Sequence, residues 1–163
     1  MVNELDTRFE FNDVESREVE RLKNLYPHPK AAIMPVLWMA QKKWGWLSED
    51  VMRYVATVMN VPYAHVLGVA SFYTMYFKKP MGRYHVQICT NVSCMLRGGV
   101  KLLQHAKQRL DIGQNEATAD RKFSLEEVEC MGACSGAPLV VINETYYEHV
   151  TESQLDELLN RCD

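Results

Sequence analysis

Two apolar periodicities divide this chain. Up to about residue 77 the apolar positions recur every three or four residues, as they do along one face of a helix; beyond residue 83 alternation takes over. Val14 to Tyr26 is predicted as a charged, mildly amphipathic helix, broken by Tyr26-Pro27-His28-Pro29 because proline lacks a donor and restricts the residue before it. Lys30 to Lys43 is predicted as a strongly apolar helix stopping near Gly45. Ser48 is placed to cap a third helix, with Glu49 and Asp50 in its first turn and Asn60 at its end. Pro62 suits the start of a fourth helix, running through Val66, Val69, Phe72 and Tyr73 towards Phe77.

Lys78-Lys79-Pro80-Met81-Gly82 reads as the junction between two domains, a charged and breaker-rich stretch where the periodicity switches. Tyr84 to Thr90 alternates as a strand, with Tyr84, Val86 and Ile88 on one face and His85, Gln87 and Cys89 on the other. Gly99 to Leu110 is an amphipathic helix, Phe123 to Val128 and Leu139 to Ile142 are strands, and Asn143-Glu144 turns the chain into a short strand near Tyr146 and Tyr147. Thr151 and Gln154 form a capping box for the last helix. The expected architecture is therefore α/β. A tail over 1–13 and a helical bundle over 14–79 precede a small domain over 83–163 in the order β-α-β-β-β-α.

Composition narrows the functional classes. A net charge of −3 argues against general affinity for nucleic acid. Residues 1–80 carry 10 Lys/Arg against 9 Asp/Glu, whereas residues 81–163 carry 8 against 12, so the second half is the acidic one. The longest near-apolar run, Ala31 to Ala40, contains Pro35 and falls far short of the roughly 20 residues that span a bilayer. The acidic first 20 residues do not read as a secretory signal, so the expected setting is a reducing compartment, where clustered thiols bind metal or do chemistry more often than they form disulfides.

Chemistry enters with the cysteines. Cys89 and Cys94 form one tight pair and Cys130 and Cys134 another, each expected where a strand ends and a loop begins, with Gly98, Gly99, Gly132 and Gly136 beside them. Thiolates are soft ligands suited to iron–sulfur clusters, zinc or copper(I), and glycine lets backbone N–H groups approach sulfur. Spacing alone leaves a structural zinc site open beside an iron–sulfur cluster, and does not separate a two-iron from a four-iron cluster. The fifth cysteine, Cys162, shares a helical stripe with Leu155, Leu158 and Leu159 and is read as a small apolar core residue. The aromatics of the first half, among them Trp38, Trp44, Phe72 and Tyr76, are read as core or interface packing, His65 and His85 as packed or hydrogen-bonded, and Glu126, Glu127 and Glu129 as a solvated strand edge.

With both pairs in view, the chain resembles the thioredoxin-like [2Fe-2S] ferredoxin subunit of NADH:quinone oxidoreductase, respiratory complex I. The resemblance runs through Gly45-Trp46-Leu47, Val61-Pro62, Ala70-Ser71-Phe72-Tyr73-Thr74-Met75-Tyr76, Tyr84-His85-Val86-Gln87 and Cys94-Met95-Leu96-Arg97-Gly98. It continues through Glu127-Val128-Glu129-Cys130-Met131-Gly132-Ala133-Cys134, Ala137-Pro138 and Tyr146-Tyr147-Glu148. It implies an N-terminal helical bundle followed by a thioredoxin-like [2Fe-2S] ferredoxin domain, with Cys89, Cys94, Cys130 and Cys134 holding one [2Fe-2S] cluster. It also implies a flavoprotein partner that binds FMN and NAD(H), further peripheral-arm partners, and a place on the cytoplasmic side of the inner membrane without membrane insertion. The chain itself carries neither G-x-G-x-x-G after a strand nor a P-loop, in keeping with a subunit that does not oxidise NADH alone. NAD-linked hydrogenases and formate dehydrogenases reuse the same module and stay open as alternatives. The acidic second half suggests a low cluster potential, since negative charge disfavours an added electron, although surface charges are screened over about 8 Å.

Overall fold

The computed structural model describes residues 9–163. The chain divides between Pro80 and Met81 into two compact units. The first unit holds α1 (Asp13–Asn24), a 3₁₀ turn (Pro29–Ala32), α2 (Ile33–Trp44), α3 (Glu49–Met59) and α4 (Tyr63–Phe72). Its helix ends follow local chemistry. Asn12 and Glu15 close a capping box on α1, Ser48 Oγ accepts the Val51 N–H at 3.2 Å, and Gly45 and Asn60 end α2 and α3 in left-handed conformation. Pro35 is tolerated because it lies in the first turn of α2, where an N–H has no intrahelical partner. The core joins Val19, Ile33, Val36, Leu37, Leu47, Val51, Val55 and Val66, all buried.

Residues 1–8 of the expected tail lie outside the described residues. From Phe9 onward the chain packs on the helices: Phe11 stacks on Trp44 with centroids 5.3 Å apart, and its N–H donates to the Tyr54 hydroxyl at 2.8 Å.

The fourth helix stops five residues before the predicted Phe77. Tyr73 is extended, and the Gln41 side chain holds the segment that follows: its Nε2 donates to Met75 O at 2.9 Å and its Oε1 accepts the Phe77 N–H at 2.7 Å. Tyr76 is thereby turned into the core, its hydroxyl donating to Met34 O at 2.9 Å. Phe72, read as core or interface packing, is 78% exposed in the chain and so lies outside its core.

The second unit holds β1 (Tyr84–Cys89), α5 (Val92–Leu96), α6 (Gly99–Leu110), β2 (Glu116–Ala117), β3 (Phe123–Val128), a 3₁₀ turn (Cys134–Gly136), β4 (Val140–Ile142), β5 (Thr145–Tyr147) and α7 (Glu152–Asn160). The single-turn α5 and the two-residue β2 are additions to the predicted order, both too short to leave a periodic signal. The strands form one sheet in the order β2-β3-β1-β4-β5. β1 and β3 run parallel, pairing Tyr84 with Phe123 and Cys89 with Val128; the other pairings are antiparallel. Val86, Ile88, Leu125, Val140 and Ile142 share one face and bury against Leu102, Leu103 and Ala106 of α6 and Leu155 and Leu159 of α7.

The opposite face is polar and still enclosed. His85, 5% exposed, sets Nδ1 at 2.9 Å from Ser124 Oγ and Nε2 at 2.8 Å from Glu126 Oε2, and Gln87 donates to the same carboxylate oxygen at 2.9 Å. Glu127 accepts from Thr90 Oγ1 at 2.8 Å. The reading as a solvated strand edge holds for Glu129, which is exposed beyond the end of β3, but Glu126 and, on the other face, Glu127 are half-buried because their carboxylates are tied to side chains of β1 and the loop after it. Cys162 packs against the second core, as its stripe predicts, with Sγ donating to Leu158 O at 3.4 Å.

Candidate metal centre

Parallel pairing decides where the cysteines go. Because β3 runs alongside β1 in the same direction, the carboxyl ends of both strands lie at one end of the sheet, where open α/β sheets build their sites. Cys89 is the last residue of β1, and its register partner Val128 stands two residues before Cys130. The antiparallel β4 starts at this same end, so the 130–139 loop returns to it: the Cys89 N–H donates to Leu139 O at 3.2 Å. Thr90 N–H donates to Val128 O at 3.1 Å and completes the tie.

The first pair is enclosed. Asn91 caps α5 through the Val92 N–H, at 2.8 Å, which places Cys94 on the inward side of that single turn. Cys89 and Cys94 are each 3% exposed and form a small core with Ala137 and Leu139, against which Met131 and Ala133 pack. Gly99 sets how tightly this can close. A Cβ there would stand 2.7 Å from Cys89 O and 2.9 Å from Cys94 O, so the start of α6 approaches both cysteine backbones at a distance only glycine allows.

The second pair is open. Cys130 and Cys134 are exposed, Cys130 in the loop after β3 and Cys134 at the start of the 3₁₀ turn. None of the five cysteines is in a disulfide. Burial pushes the Cys94 thiol up to about 11; a hydrogen bond with Cys89 and the negative charge of Cys89 and Cys134 add to the rise, and the Leu139 backbone opposes it.

A donor set of four thiolates suits a two-iron cluster. A [2Fe-2S] cluster takes two thiolates at each iron, a demand that one enclosed pair and one open pair can meet. Leu139 is the participant that sequence reasoning missed. It acts through its backbone, which no residue-type pattern records.

Residues 19–163 match the family described as thioredoxin-like [2Fe-2S] ferredoxin. The chain belongs to that family. Relatives of this ferredoxin include the E subunit of the NADH-quinone oxidoreductase of Rickettsia bellii, 39% identical over 158 residues that cover 95% of each chain. A second form of the E subunit of the same enzyme, from Rhizobium meliloti, is 42% identical over 142 residues, 87% of this chain and 84% of that one. A solved NAD+-reducing [NiFe]-hydrogenase superposes with a TM-score of 0.68 at 22% identity over 77% of this chain; the match spans 22% of the hydrogenase chain and speaks to fold.

Proposed function

We propose that this ferredoxin is the [2Fe-2S] electron-transfer subunit of an NADH–quinone oxidoreductase, with one cluster ligated by Cys89, Cys94, Cys130 and Cys134. The observation that carries the reading is end-to-end similarity, 39% identity across 95% of both lengths, to the E subunit of that enzyme. The bound cluster would supply one-electron chemistry, accepting and releasing single electrons without proton or hydride transfer. The chain's own part is to hold the ligands and shape their surroundings. Gly99 and the Cys89–Leu139 hydrogen bond lock the enclosed pair, the small core around Leu139 keeps water from it, and the exposed Cys130–Cys134 loop leaves the other side open to a partner.

That partner is proposed to be the flavoprotein subunit that binds NADH and FMN, a reading supported by the similarity to the E subunit, in a chain that carries neither G-x-G-x-x-G after a strand nor a P-loop. Among the described residues no helix is long and apolar enough to cross a membrane; a place in a peripheral arm, on the cytoplasmic side of the inner membrane, is proposed from the similarity to the E subunit. The fold match to the NAD+-reducing hydrogenase favours a second reading, the equivalent subunit of an NAD-linked hydrogenase. Copurification decides between them, by whether quinone-reducing or hydrogenase subunits accompany the chain.

The test of the cluster is the iron, sulfide and zinc content of anaerobically purified protein, with low-temperature EPR after dithionite reduction. Two irons and two sulfides per chain with a rhombic or axial signal is the expected result. Zinc in place of iron, in protein made under iron-replete conditions, overturns the electron-transfer reading.

A further inference from the structure

Glu148 is separated from the cysteine loops by two strands, yet its carboxylate lies against one of them. A Cβ built on Gly136 would stand 2.3 Å from Glu148 Cδ, 2.4 Å from its Cγ and 2.6 Å from its Oε2, so the glutamate occupies the space that any other residue at 136 would fill. The segment is pinned there by its backbone. The His149 N–H donates to Gly136 O at 2.7 Å and the Val150 N–H to Pro138 O at 3.1 Å. Gly136 in turn closes the turn that begins at Cys134, its N–H donating to Ala133 O at 3.0 Å, followed by Ala137 N–H to Cys134 O at 3.3 Å. Among the described residues no cation forms an ion pair with Glu148, whereas its neighbours along α7, Glu152, Asp156 and Glu157, all face His105, Arg109 or Arg161.

We propose that Glu148 sets the reduction potential of this site, its unneutralised carboxylate holding the potential low from beside the Cys134 turn. The inference rests on the ferredoxin reading above. Reduction adds one electron, and hence one unit of negative charge, to the site. A fixed negative charge nearby opposes that addition, and opposes it more strongly where protein rather than water lies between the two. The cysteine spacing says nothing of this residue, because only the return of β5 towards α7 brings it to the loop.

The experiment is an EPR-monitored redox titration of the full chain, purified anaerobically with its cluster and with iron and sulfide counted, in the wild type and in Glu148→Gln, Glu148→Lys and Glu157→Gln. Poised at the wild-type midpoint, Glu148→Gln should show at least a threefold higher ratio of reduced to oxidised cluster, about 28 mV at 59 mV per decade for one electron. Glu148→Lys, which changes the charge by twice as much, should move further in the same direction. Both shifts should shrink at high salt, as an exposed charge requires and a packing change does not. Glu157→Gln, removing the same charge near the far end of α7, should leave the midpoint unmoved. A fully loaded Glu148→Gln with the wild-type midpoint, or a lysine variant shifting downward, overturns the proposal. Wild-type protein holding zinc or no iron would instead overturn the ferredoxin reading on which it stands.

Discussion

Gly99→Ala puts two physical rules in opposition, so its sign is informative. Gly99 is the first residue of α6, and by helix propensity alone alanine there should stabilise the protein by up to about 1 kcal/mol. The structure requires the reverse. The added methyl would meet Cys89 O at 2.7 Å, Cys94 O at 2.9 Å and Cys94 C at 3.0 Å, all backbone atoms that cannot rotate away. Relieving that overlap means moving α6 off the two enclosed cysteines, an overpacking strain of about 1–3 kcal/mol. For a unit of this size each kcal/mol is worth roughly 4–8 °C in Tm. Gly68→Ala is the matched control: Gly68 sits inside α4 with nothing within 4 Å of its Cβ position, so there the propensity gain of about 1 kcal/mol should appear undiminished. Urea denaturation separates the two effects by probe. Trp38, Trp44 and Trp46 all lie in the first unit, so tryptophan fluorescence follows that unit, and visible absorbance of the cluster follows the second. Gly99→Ala should lose its absorbance at lower urea than the wild type, and Gly68→Ala should hold its fluorescence transition at equal or higher urea. A Gly99→Ala protein as stable as the wild type would refute the close-approach argument and leave propensity in charge.

Single-cysteine variants test the ligand assignment: Cys89→Ser or Cys130→Ser should abolish or strongly perturb the EPR signal, and Cys162→Ser should keep it, since Cys162 packs in the second core. Loss of iron from the Cys162 variant would show the ligand set to be wrong. Tyr76→Phe leaves the Met34 carbonyl without its 2.9 Å donor and should cost about 1–2 kcal/mol at neutral pH, read by tryptophan fluorescence in urea. Burial pushes the Tyr76 hydroxyl from 10.0 up to about 12, so the folded state keeps a proton that the unfolded chain releases above pH 10. Stability from this group is therefore full below pH 10 and falls between pH 10 and 12 by up to about 1.4 kcal/mol per pH unit. The advantage of the wild type over Tyr76→Phe should shrink across that window; a constant difference would contradict the assignment.

What the sequence by itself determined is what neighbours along the chain decide. The capping box of Thr151 and Gln154, the Ser48 cap and the left-handed Gly45 and Asn60 were legible because each is settled within a few residues. The face assignment in β1 followed from alternation, and the four candidate ligands followed from the softness of thiolates in paired spacing. Family resemblance added the cluster type that spacing left open.

The tertiary structure decided what depends on residues far apart. α4 ends at Phe72 because Gln41, more than 30 residues earlier, supplies hydrogen bonds to Met75 and Phe77 that compete with further helix. Glu126 is half-buried because His85 and Gln87 of β1 bond its carboxylate, which its own stretch of sequence cannot express. The division of the cysteines into an enclosed and an open pair has the same origin. Local spacing defines each pair, but only the parallel register of β1 and β3 brings their loops to one sheet end, where Leu139 and Gly99 seal Cys89 and Cys94 and leave Cys130 and Cys134 facing outward. Contacts of that kind are made through backbone atoms that every residue shares, so residue identity carries almost no record of them until the chain has folded.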